Sequence, residues 1–62
     1  MNYIVRFIRR DKQPDEEYYY NGIDEAEYHL NLFREDDSLL YERIELVSLI
    51  PEEKVIEVIH FS

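Results

Sequence analysis

The sequence predicts an α+β fold of order β-β-α-β-β, a four-stranded antiparallel sheet with one helix packed on one face. Three observations carry that expectation. Four stretches, at about 2–9, 16–20, 43–50 and 54–61, are dense in β-branched and aromatic residues. A single stretch, at about 25–36, has helical spacing behind a capping signal. Pro14, the pair Asn21-Gly22 and Pro51 separate them as turn formers. At 62 residues the chain is long enough for one domain, 1–62.

The first strand reads Asn2-Tyr3-Ile4-Val5-Arg6-Phe7-Ile8-Arg9, too short an apolar run for a helix. A polar loop, Arg10 to Asp15, leads into Glu16-Glu17-Tyr18-Tyr19-Tyr20 and makes a hairpin. Asn21-Gly22 tolerates positive φ and marks a change of direction. Asp24 then fits an N-cap, Glu27 completes a capping box, and Ile23 is placed to staple on Tyr28. At 100° per residue, Glu27, Asn31, Arg34 and Glu35 form a polar arc. Ala26, Tyr28, His29, Leu30, Leu32 and Phe33 fill a wide apolar one, which suits a helix lying flat on a sheet.

Glu35 to Ser38 ends the helix, and the sequence leaves 38–44 open between helical and extended, with room for a short helical turn over Ser38 to Tyr41. The apolar density of Ile44 to Ile50 marks the third strand, and Pro51-Glu52-Glu53 turns the chain into the fourth. Strands joined by so few residues are antiparallel neighbours.

Fifteen Asp and Glu against seven Lys and Arg give a formal charge of −8. The charge is unevenly placed. Residues 1–12 hold Arg6, Arg9, Arg10 and Lys12 against Asp11, a local +3, and the remainder carries −11. Arginines of the first strand lie naturally beside Glu16 and Glu17 of its hairpin partner, so cross-strand pairing is expected in preference to nucleic-acid binding. No apolar run approaches the ~20 residues of a membrane helix. The expectation is a cytoplasmic protein without a membrane segment.

Several chemistries lack their residues. There is no Cys, which removes disulfides, thiolate zinc sites and cysteine nucleophiles. The single Gly22 cannot build a phosphate cradle, and Glu35-Asp36-Asp37 lacks the ligand spacing of an EF-hand. His29 and His60 stand in no nucleophile motif; His29 falls on the buried arc of the helix. The expectation is therefore no catalytic, cofactor-binding or metal-binding residue, and no enzyme.

One helix covers only one side of a sheet, yet strands 1 and 4 carry apolar residues on both faces. Straight alternation puts Tyr3, Val5 and Phe7 opposite Ile4 and Ile8, and Val55, Ile59 and Phe61 opposite Ile56 and Val58. Tyr18 and Tyr20 likewise oppose Tyr19. Ile4, Ile8, Tyr19, Ile56 and Val58 are thus the candidate interaction surface, for a homodimer or a protein partner, unless long side chains such as Arg6 and Lys54 shield them.

The segment Phe33-Arg34-Glu35-Asp36-Asp37-Ser38-Leu39-Leu40-Tyr41-Glu42-Arg43-Ile44-Glu45-Leu46, with the order of elements, resembles small uncharacterised acidic β-β-α-β-β proteins of bacteria and their phages. The resemblance implies fold and context and supplies no activity. A small regulatory or protein-interaction role is the expected function. Its alternative is an acidic mimic of nucleic acid that inhibits a DNA- or RNA-binding protein.

Overall fold

The computed structural model describes residues 1–34 and 40–61. Its elements follow the expected order: β1 (Tyr3–Arg9), β2 (Glu16–Tyr20), α1 (Ile23–Leu32), β3 (Tyr41–Ser48) and β4 (Lys54–His60). The four strands form one antiparallel sheet in the order β2-β1-β3-β4. β1 and β3 are therefore central, and β2 and β4 are the edges. Because β2 and β3 both run antiparallel to β1, they are parallel to each other, and α1 makes the crossover between them. Crossovers of this kind bury a helix on the sheet.

Register fixes the two faces. Phe7 lies opposite Glu16 on β2 and Ile44 on β3; Val5 lies opposite Tyr18 and Leu46. These side chains meet α1, and Val5, Phe7, Ala26, Leu30, Ile44, Leu46 and Ile59 form the buried core. Phe7 is its aromatic hub. Its ring stands edge-on to Tyr18 and Phe33 at centroid distances of 5.6 and 5.0 Å, and packs tilted on Tyr41 at 5.1 Å.

Three expectations about the helix are corrected. It starts at Ile23, earlier than about 25, and its N-cap is Gly22 in extended conformation, with no side-chain cap bond. Asp24 therefore sits inside the first turn with Glu25, where acids complement the positive helix end without capping it. No capping box forms. Gly22 also has negative φ, −117°, so the turn uses no left-handed backbone there. The helix closes at Leu32, with Phe33 as C-cap. Residues 35 and 36 of the expected helix lie outside the described residues, as do 38 and 39 of the expected helical turn; Leu40 is in a bend and Tyr41 already opens β3.

A Cβ at Gly22 would meet nothing within 4 Å. Gly22→Ser supplies the missing cap acceptor and restricts the unfolded chain. We expect a gain of about 0.5–1 kcal/mol, read as a higher midpoint in thermal denaturation. A lowered midpoint would contradict the cap geometry.

The fourth strand corrects a further expectation. Leu46 pairs with Glu57 but Val47 pairs with Val55, so the register slips by one residue and Ile56 is left over as a β-bulge. Val55 thereby lies on the side away from α1, with Val47. It does not share the core face of Ile59.

Candidate functional site

The arginines of the leading segment are all engaged. On the sheet face away from α1, Arg6 lies between Glu17 of β2 and Glu45 of β3, its register partners on either side. Its Nε donates to Glu17 Oε2 at 2.8 Å, one terminal nitrogen to Glu45 Oε1 at 3.3 Å and the other to Glu53 Oε1 at 3.3 Å. Arg43 Nε holds the second oxygen of Glu45 at 3.1 Å, and Arg43 also pairs with Glu42. Hydrogen bonding to Glu17, above all, raises the Arg6 pKa beyond its ordinary value.

Arg9 spans Asp11 and Glu16, and Arg34 pairs with Glu57 of β4. The hydrogen bond from Arg9 pulls the Asp11 carboxyl down to about 2. Arg10 is used differently: Nε donates to the Tyr41 carbonyl at 3.0 Å and a terminal nitrogen to the Phe61 carbonyl at 2.8 Å. It ties the start of β3 to the chain just beyond β4. Cross-strand pairing of Arg6 and Arg9 with Glu17 and Glu16 is as the sequence predicts.

This ionic mesh occupies the middle of the face that the sequence marks as an interaction surface. Ile4 is only 4% exposed and Val47 is fully buried, although both stand outside the core cluster that includes Ala26 and Leu30 of α1. The 49–53 segment is tied to the leading segment of the chain by the Arg6–Glu53 pair and by Leu49 N–H donating to Asn2 O. Ile8 is half-buried. Tyr19 lies opposite Ile4 on edge strand β2 and is exposed, while Ile56 and Val58 are exposed with Val55 on edge strand β4. The five residues thus divide into a shielded centre and two separate exposed margins.

The other face holds a feature that the five residues do not include. The apolar arc of α1 is wider than its contact with the sheet. Ala26 and Leu30 are buried, and His29 and Phe33 are half-buried, but Tyr28 is 69% and Leu32 is 59% exposed. These two, one turn apart, lie on the side of the helix toward β2. With Tyr20, Asp24, Glu25 and His29 they line a groove of about 470 Å³. Its walls are aromatic and aliphatic, and its carboxylates belong to the first helical turn. Among the described residues, Asp24, Glu25 and Glu27 make no ion pair. The sequence signal for the groove was the breadth of the helix's apolar arc.

Two groups within the groove are conditioned by burial. The Tyr20 hydroxyl and His29 Nδ1 are hydrogen-bond partners, with ring centroids 5.5 Å apart. Burial lowers the His29 pKa and raises that of Tyr20, to which the charges of Tyr18 and Glu25 also contribute. Both groups are held neutral, and a His29 ring carrying its proton on Nε2 accepts the Tyr20 hydroxyl at Nδ1.

The depressed His29 pKa has a definite consequence. The unfolded chain binds the proton more readily, so stability is full above the ordinary value of 6.5 and falls as pH drops toward the folded value. We expect the thermal midpoint to fall between pH 7.5 and 5.5, and His29→Gln to flatten that slope. Equal slopes in the two proteins would show that His29 is not the group responsible.

Among the described residues, no three His, Cys, Asp or Glu side chains are grouped to hold a metal ion, and no helix is long and apolar enough to cross a membrane. The chain matches no family model, no curated protein and no solved structure.

Proposed function

We propose that this protein acts by binding, not by catalysis, and that it takes a basic segment of a partner protein against the face formed by β2 and α1. One observation carries the reading: the exposed apolar groove is bordered by carboxylates without basic partners, while Arg6, Arg9, Arg34 and Arg43 are committed within the fold. Apolar surface with a few converging polar groups is the usual composition of a binding site. An acidic rim selects for a basic partner by steering and by charge complementarity.

A nucleic-acid mimic needs an extended array of free carboxylates. Glu17, Glu45, Glu53, Asp11, Glu16, Glu57 and Glu42 are instead taken up by arginines, which favours the groove. A photo-crosslinking residue at position 28 tests the reading against the same residue at position 19 on the opposite face. Capture of a basic protein at 28 only, weakened by Glu25→Gln and by salt, is the expected result. Equal capture at both positions would refute it.

A second reading, compatible with the first, is self-association through β4. It is favoured by Val55, Ile56 and Val58, which are 43%, 43% and 37% exposed on β4, an edge strand of the sheet among the described residues. Edge strands with apolar margins are templates for a further strand or copy. Sedimentation equilibrium at high micromolar concentration should give a dimer that Val58→Lys dissociates. A monomeric wild-type protein would dispose of this reading.

A further inference from the structure

The groove beside α1 is selective in its chemistry as well as its sign. Its lining combines three flat rings, Tyr20, Tyr28 and His29, with the aliphatic Leu32 and the carboxylates of Asp24 and Glu25. His29 and Tyr20 meet at a steep interplanar angle of 64°, so their rings form a corner and not a continuous flat wall. Glu25 lines the same groove as this corner, which adds a carboxylate to its rim. Tyr28 stands one helical turn after Asp24 and one before Leu32, so the exposed ring is flanked by an acid on one side and an aliphatic side chain on the other.

A purely apolar occupant would leave Asp24 and Glu25 unused and would desolvate them in part, at a cost. An ammonium would satisfy the carboxylates, but it is strongly hydrated and compact and gains less from ring faces. A guanidinium satisfies both parts of the lining. It is planar, weakly hydrated, stacks on aromatic rings and presents a fork of donors to carboxylates. Its aliphatic stem matches Leu32. The groove, about 470 Å³, is open to solvent and has room for a side chain laid along its surface.

We propose that this groove is a receptor for an arginine side chain of the partner, with Tyr20, Tyr28 and His29 receiving the guanidinium plane and Asp24 and Glu25 its charge. The inference rests on the binding role proposed for the β2–α1 face and specifies what that face recognises. Neutral His29 is part of the arrangement, since an imidazolium at the same corner would repel the guest.

The test is a titration of the isotope-labelled full chain, followed by NMR, with N-acetyl-arginine amide, N-acetyl-lysine amide and N-acetyl-norleucine amide. Arginine amide should give saturable shifts at Tyr20, Glu25, Tyr28, His29 and Leu32. Lysine amide should bind several-fold more weakly, and norleucine amide should cause no saturable change. Tyr28→Ala should weaken arginine binding by about two- to fivefold, the worth of one exposed ring–cation contact. Glu25→Gln should weaken it while leaving the spectrum's dispersion intact. Both side chains are exposed, so neither change threatens the fold.

Arginine shifts that fail to saturate, or that fall at Arg6 and Arg43 on the opposite face, would overturn the proposal. So would equal binding of norleucine amide, in which case partner capture at position 28 could still stand and only the arginine preference would fall. Loss of position-specific capture, with arginine amide still bound, would instead remove the partner reading and leave the guanidinium site.

Discussion

Phe7→Ala is expected to leave most of the chain unfolded at physiological temperature. Phe7 is 2% exposed, and its ring packs against Tyr18, His29, Phe33 and Tyr41, so one side chain joins β1 to β2, to α1 and its C-cap, and to β3. Removing a buried phenyl ring costs about 3–5 kcal/mol in transfer energy and residual cavity. A chain of 62 residues has a total stability of only about 3–9 kcal/mol. The loss is therefore comparable to the whole. Urea denaturation followed by tyrosine fluorescence checks this, with Tyr19→Ala as comparison. Tyr19 is half-exposed on the opposite face and should cost about 1 kcal/mol or less. A Phe7→Ala protein as stable as Tyr19→Ala would mean that the aromatic hub does not hold the elements together.

Arg6→Ala is expected to cost about 2–3 kcal/mol, more than any other single charged side chain in the protein. Exposed ion pairs contribute about 0–1 kcal/mol, whereas breaking a buried one costs about 3–5 kcal/mol. Arg6 and Glu45 fall between these limits, with side chains 19% and 13% exposed. Removing the guanidinium leaves Glu17 and Glu53 without their arginine and Glu45 with Arg43 alone. Part of the cost is like-charge repulsion, so the double variant Arg6→Ala/Glu45→Ala should be less destabilised than the sum of its parts, by about 1 kcal/mol. Strict additivity in a double-mutant cycle would show that Arg6 acts only through its stem.

Much of the fold is legible in the sequence because its strands are short, β-rich and punctuated. The pair Glu16 and Tyr20 bounds β2 as alternation and turn residues indicate, and the faces of β1 follow from Tyr3, Val5 and Phe7 without error. The exceptions have local causes. Asp24 is a better capping residue than Gly22, yet the chain enters the helix two residues earlier and leaves Asp24 within it. Capping is worth about 1 kcal/mol, less than the burial of Ala26 and Leu30 that sets where the helix must lie. Val55 changes face because a bulge at Ile56 interrupts alternation, and a single extra residue has no signature in a run of β-branched side chains.

The candidate site was only half legible. Ile4, Ile8, Tyr19, Ile56 and Val58 do lie away from α1 or at the bulge, but Ile4 is buried where central strands meet, while Tyr19, Ile56 and Val58 are exposed on the two edge strands, and strand order is not written in local alternation. The groove has the opposite history. Tyr28 and Leu32 read as core because they share an arc with Leu30, and only the lateral position of α1 over the sheet decides which part of a wide arc is covered.

The strand order also sets a schedule. β1 comes first in the chain but is central in the sheet, and one of its two neighbours, β3, arrives only after the helix: Tyr3 pairs with Ser48 and Ile4 with Val47. As the chain is synthesised, the β1–β2 hairpin can form early, but a lone hairpin is at best marginally stable in water. Half of the apolar surface around Val5 and Phe7 must wait for Ile44 and Leu46. Pairings of such long sequence separation close slowly and late. A nascent chain halted before β3 would therefore display β1 with one side unpaired, the state most open to capture by a chaperone or a protease.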